Sequence, residues 1–203
     1  MLKSIKRIDG FTKNVILVFL GTSLVNFFNL FYQLLIAHRL SAVDFASFNS
    51  ILSIYILLST PLGTLQMVFA KHISELKARG EFSKLKFFFS DISRRMCVFS
   101  IVTLILTLPF SFLALKLLKI SSPASGFILS VLLALAWLIP VFSGGIQGLE
   151  YFNWLSFGSS VTGGAKLFLA FVFIYLGYSI AGALGAFLIS NLIGIAIYAL
   201  PLK

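Results

Sequence analysis

The chain has 203 residues, of which 59% are hydrophobic and 11% are charged, with a mean hydropathy of +1.04 and a formal net charge of +10. A soluble domain carries about 25% charged residues, so this composition excludes one. Its apolar runs are long and unbroken, which favours spanning helices over the alternating pattern of a β-barrel. The predicted fold class is an all-α polytopic membrane protein.

Six membrane spans are predicted in chain order, each long enough for a hydrocarbon core of about 30 Å. The first follows a basic segment and is too long for the apolar part of a signal peptide. Pro61 is expected to kink the second span because it removes a backbone hydrogen bond. A tight turn, Gly177-Tyr178-Ser179, separates the last two. The spans cover residues 14–37, 45–70, 96–118, 124–146, 156–177 and 180–201.

Basic residues are unevenly distributed about these spans. Of the 16 lysines and arginines, twelve lie before the first span, between the second and third, or at the C-terminus, and three lie on the other side. Because basic loops stay in the cytoplasm, we expect a multi-pass inner or plasma membrane protein with a cytoplasmic N-terminus. The positive charge then reflects topology and contact with anionic membrane lipids, and no nucleic acid partner is expected.

The basic segment 71–95 is the one substantial loop between predicted spans. Its apolar side predicts an amphipathic helix that lies on the cytoplasmic leaflet. The alternative is that it continues the second span and leads into the third. Both interpretations are compatible with the sequence.

A stripe of polar side chains follows one face of the first span at helical spacing. It consists of Thr22, Asn26, Asn29 and Gln33. Lipid does not accommodate such a stripe, so this face meets protein or lines a wet cavity. A weaker stripe of the same kind in the second span consists of Asn49, Ser53, Thr60 and Thr64.

Lys166 lies near the middle of the fifth span, on the face of Ser159 and Gly163. A charge at the bilayer centre costs about 2.5–3.5 kcal/mol, so such residues usually face a bundle interior and mark an ion or substrate path. The alternative is a side chain that reaches back to the interface. Arg39 ends the first span, where it is either an interface anchor or a substrate contact.

The sequence contains no pattern typical of catalysis or cofactor binding. It has no G-x-x-x-x-G-K-[ST], no H-E-x-x-H and no C-x-x-C, and His38 and His72 lie apart from any carboxylate cluster. We therefore expect no enzyme activity, no catalytic residue, no cofactor and no metal site.

Five stretches of the chain carry short residue patterns, most of them near the ends of predicted spans. They are 37–48 (AHRLSAVDFASF), 60–66 with 70–75 (TPLGTLQ and AKHISE), 145–152 (GIQGLEYF), 166–167 (KL) and 176–184 (LGYSIAGAL). In order and spacing they resemble bacterial polysaccharide flippases, of the multidrug, oligosaccharidyl-lipid and polysaccharide exporter superfamily. One departure is Ser41-Ala42, where that family usually has Gly, so the turn there is expected to differ.

The resemblance implies a MATE-like transporter of two six-helix lobes, with residues 1–203 as a single N-terminal lobe. We therefore expect a truncated chain whose partner is a missing C-terminal lobe or a second copy. The implied activity is transfer of a polyprenyl-pyrophosphate-linked oligosaccharide across the membrane by alternating access. Lys166 would contact the pyrophosphate, and Asn26, Asn29 and Gln33 the sugar or the opposite lobe.

Three alternatives stay open at this point. A multidrug exporter of the same superfamily would need a buried Asp or Glu, and no acidic residue lies inside a predicted span. A membrane-embedded polysaccharide polymerase or glycosyltransferase would need paired carboxylates or a catalytic loop, but the predicted outer loops are short. A membrane scaffold without transport activity would have no cavity and an inert Lys166.

Overall fold

The computed structural model describes the backbone of residues 2–120 and 122–202, and the side chains of that part from residue 15 onward together with Thr12. The N-terminal and C-terminal basic residues counted above for orientation lie outside the described side chains: Lys3, Lys6, Arg7, Lys13 and Lys203. The described residues are helical and contain no strand, so the predicted all-α class is confirmed. The elements are α1 (Leu2–Arg39), α2 (Ala42–Ala78), α3 (Phe82–Leu117), α4 (Pro123–Leu135), α5 (Ile139–Gly148), α6 (Phe152–Tyr175), α7 (Ser179–Ala199) and a final 3-10 turn (Leu200–Leu202).

Six segments of the described chain are long and apolar enough to cross a membrane, as predicted. They are Val15–Arg39, Ala42–Ala78, Phe82–Leu117, Pro123–Gly148, Phe152–Tyr175 and Ser179–Leu202. Consecutive spans alternate in direction, so the turns fall on two sides. We call the side with the α2–α3 turn the hairpin side, and the side where α1 ends at Arg39 the far side.

Residues 71–95 continue the two spanning helices, and only 79–81 separate α2 from α3. Gly80 closes this turn with a φ of +71°, a conformation that side chains rarely adopt. At 37 and 36 residues, α2 and α3 are each about 55 Å long, so both extend well beyond a hydrocarbon core of about 30 Å. The continuous helices favour the second interpretation of this segment over a separate surface helix.

Exposed ion pairs stabilise this helical hairpin. Glu75 lies 4.0 Å from Lys71, Glu81 lies 3.1 Å from Lys84, and Asp91 lies 2.9 Å from Arg95. Each pair joins neighbouring turns of helix and contributes at most about 1 kcal/mol because water screens it.

The fourth span is divided into two half-helices. Between α4 and α5 the N–H of Trp137 donates to Ala134 O at 3.3 Å, and that of Leu138 donates to Leu135 O at 2.9 Å. These hydrogen bonds reach back three residues instead of four. They replace α-helical hydrogen bonds just before Pro140, which has no N–H to donate. Pro140 then lies in the first turn of α5, where no intrahelical donor is needed. The predicted single span is thus one crossing made of two pieces.

The two half-helices and α7 form the centre of the bundle, and their residues are the most deeply buried of the spans. Helix α1 packs on α6, α6 on α7, α3 on α4, and α2 on α5. Most of the buried core lies where α1, α2, α4 and α7 meet, and includes Ile36, Phe48, Leu129 and Leu184.

Pro61 lies inside α2, which continues through it as a helix. The kink expected at Pro61 stays a prediction.

Candidate functional site

Lys166 reaches out from α6 into the junction of α1, α6 and α7. Its Nζ donates a hydrogen bond to Asn29 Oδ1 on α1. The same nitrogen lies 4.7 Å from the ring centroid of Tyr32 and 5.3 Å from that of Phe187. An amide oxygen and two aromatic faces therefore surround the ammonium group, and each interacts favourably with a cation.

A cavity of about 200 Å³ adjoins this ammonium group. Its polar lining combines Lys166 with hydroxyl and amide groups of α1, α6 and α7: Asn29, Ser159, Thr162, Ser190 and Asn191. The three hydroxyl groups donate to carbonyl oxygens of their own helices. Asn191 Nδ2 is buried without a hydrogen-bond partner in the described chain. The cavity therefore contains a cation and a free amide donor, which together suit an anionic or strongly accepting ligand.

No described carboxylate neutralises Lys166. Glu75, Glu81 and Asp91 pair with basic residues of the α2–α3 hairpin, and Glu150 lies 3.0 Å from Lys77. Asp44 accepts a hydrogen bond of 2.8 Å from the hydroxyl of Ser179. Lys166 is therefore a cation within a membrane span, and the described residues provide no counter-ion for it. Charged residues inside membrane spans are usually paired.

Two of the predicted site residues come together here and three do not. Asn29 contacts Lys166 directly, whereas Asn26 is exposed on α1 and Gln33 is half-buried outside the cavity lining. Arg39 lies at the far-side end of α1, in a different groove.

Along α6, Lys166 is 14 residues from the hairpin-side end, or about 21 Å. Its side chain turns to Asn29 within the span.

Sequence reasoning missed three contributors to the site. Tyr32 lies one helical turn beyond Asn29, so it shares the polar face of α1, but an aromatic residue gave no polar signal. Phe187 is one of many apolar residues in α7. Asn191 carried the clearest signal, because an amide inside an apolar span needs a partner.

The polar stripes of α1 and α2 remain largely uncovered in the single chain. Thr60 and Thr64 are exposed but donate to carbonyl oxygens of their own helix, at 2.6 Å and 2.7 Å. Asn26 is exposed midway along the first span, and the described structure shows no hydrogen bond to its amide. An amide at this depth requires water or another protein surface, because lipid offers no hydrogen bond.

Tyr32 also joins α1 to α7 by a buried hydrogen bond from its hydroxyl to Ala183 O, at 2.9 Å. We expect Tyr32→Phe to lower the free energy of unfolding by about 1 kcal/mol, since the ring stays and the hydrogen bond is lost. Unfolding in mixed micelles of mild detergent and dodecyl sulfate would measure this, with Tyr175→Phe as an exposed control on α6. Equal midpoints for both variants would show that the hydroxyl contributes nothing.

These observations define the class of protein as a multi-pass α-helical membrane protein with a lysine and several polar groups at a cavity among its spans. Comparisons of the chain with family models, with curated proteins and with solved structures find no match. The resemblance to polysaccharide flippases thus stays a prediction from the short sequence patterns.

Proposed function

We propose that this chain is one six-helix lobe of a membrane transporter that moves a polyprenyl-pyrophosphate-linked oligosaccharide between leaflets by alternating access. The observation that carries the proposal is the cation of Lys166, which adjoins a cavity with several polar groups and has no described counter-ion. The short sequence patterns that resemble those of polysaccharide flippases support the same activity. In this proposal the chain lies in the inner or plasma membrane with its N-terminus in the cytoplasm.

The chemistry of a pyrophosphate suits this site. Its oxygens carry negative charge and accept several hydrogen bonds, and Lys166 Nζ and Asn191 Nδ2 are donors at the same cavity. Electrostatic attraction is much stronger at low effective dielectric than in water, so a single lysine here attracts an anion effectively. An ammonium group has three donors, so Lys166 can keep its hydrogen bond to Asn29 and donate others to the anion.

The uncovered polar stripes fit a transporter with two lobes. Asn26 and the exposed hydroxyl-bearing residues of α2 would face a water-filled path between this lobe and a second one. The second lobe is either a further part of the same polypeptide or another copy of the chain. The membrane scaffold is less well supported, since the described chain does contain a cavity at Lys166.

Two alternative functions have less support from the described residues. A multidrug exporter that binds cations would require a deep carboxylate. The described acids of the spanning helices lie elsewhere: Asp44 is in the first turn of α2, and Glu75 and Asp91 pair with basic residues near the α2–α3 turn. A polymerase or glycosyltransferase would require a catalytic loop. The far-side connections are short: 40–41, 118–122, of which 121 lies outside the described residues, and 176–178.

The proposal is tested by binding of a polyprenyl pyrophosphate to the full chain in nanodiscs. Lys166→Gln is expected to weaken binding at least about tenfold, equivalent to about 1.4 kcal/mol, whereas Lys166→Arg keeps the charge and most of the affinity. Lys116→Gln is the matched control, because Lys116 is exposed in the last turn of α3. Transfer of a fluorescent lipid-linked oligosaccharide in proteoliposomes should follow the same order. Unchanged binding by Lys166→Gln would refute the proposed role.

A further inference from the structure

A groove of about 630 Å³ runs between α1 and α6 on the outer surface of the bundle. Phe31 and Leu34 of α1 and Phe168 and Phe171 of α6 form its apolar walls, and all four side chains are exposed. Its volume lies within the usual range of small-molecule sites, about 300–1,000 Å³. The groove is separate from the cavity at Lys166, since the two have no lining residue in common.

Gly164 lies at the mid-membrane end of the groove, where it leaves space because it has no side chain. A Cβ atom on Gly164 would lie 3.5 Å from Phe28 Cε2, an ordinary contact, so the ring of Phe28 lies behind the glycine. The space in front of Gly164 is open to the surroundings, which are lipid for this part of a spanning helix. A chain molecule can therefore lie between the two helices.

The length of the groove matches one leaflet. From Phe31 to Arg39 is eight residues, or about 12 Å along α1, and half of a hydrocarbon core of about 30 Å is about 15 Å. The groove begins near mid-membrane and ends at the far-side interface. It therefore runs along the direction in which acyl chains of the far-side leaflet extend.

Two basic side chains occupy the interface end of this groove. His38 and Arg39 are both exposed there, and no ion pair among the described side chains involves either residue. The guanidinium group of Arg39 can donate two parallel hydrogen bonds to a phosphate. The groove is apolar along its length and ends at an unpaired arginine. A phospholipid has the matching arrangement, with an apolar acyl chain followed by a phosphate.

We infer that this groove binds one anionic phospholipid of the far-side leaflet, with an acyl chain against Phe31, Leu34 and Phe168 and the phosphate at Arg39. An anionic headgroup is favoured over a zwitterionic one because the described side chains place no carboxylate beside Arg39 to hold a choline or ethanolamine. The inference depends on the membrane spans and on this groove. It does not depend on the proposed transport activity or on Lys166.

The test is native mass spectrometry of the full chain released from nanodiscs that contain phosphatidylcholine with a minor fraction of phosphatidylglycerol. The wild-type chain is expected to retain one phosphatidylglycerol, and glycerol phosphate added in solution should not displace it. Arg39→Gln should reduce the retained fraction about fivefold, and Arg39→Lys should restore most of it. Gly164→Leu should reduce it by a similar factor, since it fills the groove and leaves the charge in place.

Two matched controls separate this site from general effects. Lys116→Gln removes an exposed far-side charge outside the groove, and Gly63→Leu adds the same side chain where no atom lies within 4 Å of the new Cβ. Both should retain phosphatidylglycerol as the wild type does. The inference would be overturned if the controls lost as much phosphatidylglycerol as the groove variants. It would also be overturned if Arg39→Gln and Gly164→Leu both retained the lipid fully. A lipid-free dimer that Gly164→Leu dissociates would assign the groove to a second copy instead.

Discussion

Alanine at both Gly144 and Gly148 is expected to lower the free energy of unfolding by about 2–5 kcal/mol, from overpacking at two positions. The backbone of α2 passes directly over these two glycines of α5. A Cβ on Gly144 would lie 2.8 Å from Gln66 O, and one on Gly148 would lie 2.6 Å from Ala70 O. Because backbone atoms cannot rotate away, the two helices must separate, and the 3.0 Å bond between the side-chain amides of Gln66 and Gln147 would be lost.

Two further glycines provide controls for this experiment. Gly145 lies on the same helix, but a Cβ there meets the ends of the Phe89 and Leu202 side chains, which can move. Gly63 lies in α2 with no atom within 4 Å, so Ala should be neutral there or stabilising by up to about 1 kcal/mol from helix propensity. Unfolding midpoints in mixed micelles would compare the double variant with Gly145→Ala and Gly63→Ala. If the double variant matched Gly63→Ala, the close approach of α2 and α5 would be wrong.

Asn29→Leu is expected to lower the free energy of unfolding by about 1.5–3 kcal/mol, because it removes the hydrogen-bond acceptor of a charged group inside the membrane. Lys166→Met removes the charge itself, and replacing a buried charge with an apolar side chain is often neutral or stabilising. In the Lys166→Met background, Asn29→Leu should therefore lower the free energy of unfolding only slightly. The difference between the two backgrounds measures the coupling of the two residues.

Asn26→Leu is the matched control on the same helix. Asn26 is exposed and has no hydrogen bond in the described structure, so its replacement by Leu should leave the free energy of unfolding unchanged or raise it, because lipid cannot satisfy the amide. If Asn29→Leu lowered the free energy of unfolding equally with and without the lysine, the two side chains would not interact. A more stable Lys166→Met variant that no longer binds pyrophosphate would indicate that the lysine is kept for function at a cost in stability.

The number and order of the spans followed from the sequence because the apolar runs are long and the short turns are marked by Gly and polar residues. Helix ends at the membrane surface were harder to predict. Hydropathy falls beyond Ala70, but the helix continues to Ala78, because local ion pairs such as that of Lys71 with Glu75 sustain helices in water. Hydropathy reports where lipid ends, and it does not report where a helix ends.

The break in the fourth span was only partly visible in the sequence. Pro140 lies inside the predicted fourth span, but no break was predicted there; residues 136–138 form the turn, and their geometry depends on how α4 and α5 pack. At the candidate site, spacing placed Lys166 and Asn29 inside the bundle. It could not show that they touch, because a polar stripe gives the face of one helix and not the identity of the neighbouring helix.

The divided fourth span has a mechanical consequence for the cavity at Lys166. Its two halves differ in their main neighbours: α4 packs chiefly on α3, and α5 packs chiefly on α2 through its glycines, while α7 contacts both halves. A displacement of α2 relative to α3 would therefore act mainly on α5, with residues 136–138, where the helix is interrupted, as the joint between the halves. Ile139, the first residue beyond this joint, lines the cavity. Rotation of α5 would move that wall, and would change the volume beside the ammonium group without breaking its contacts with α1 and α7.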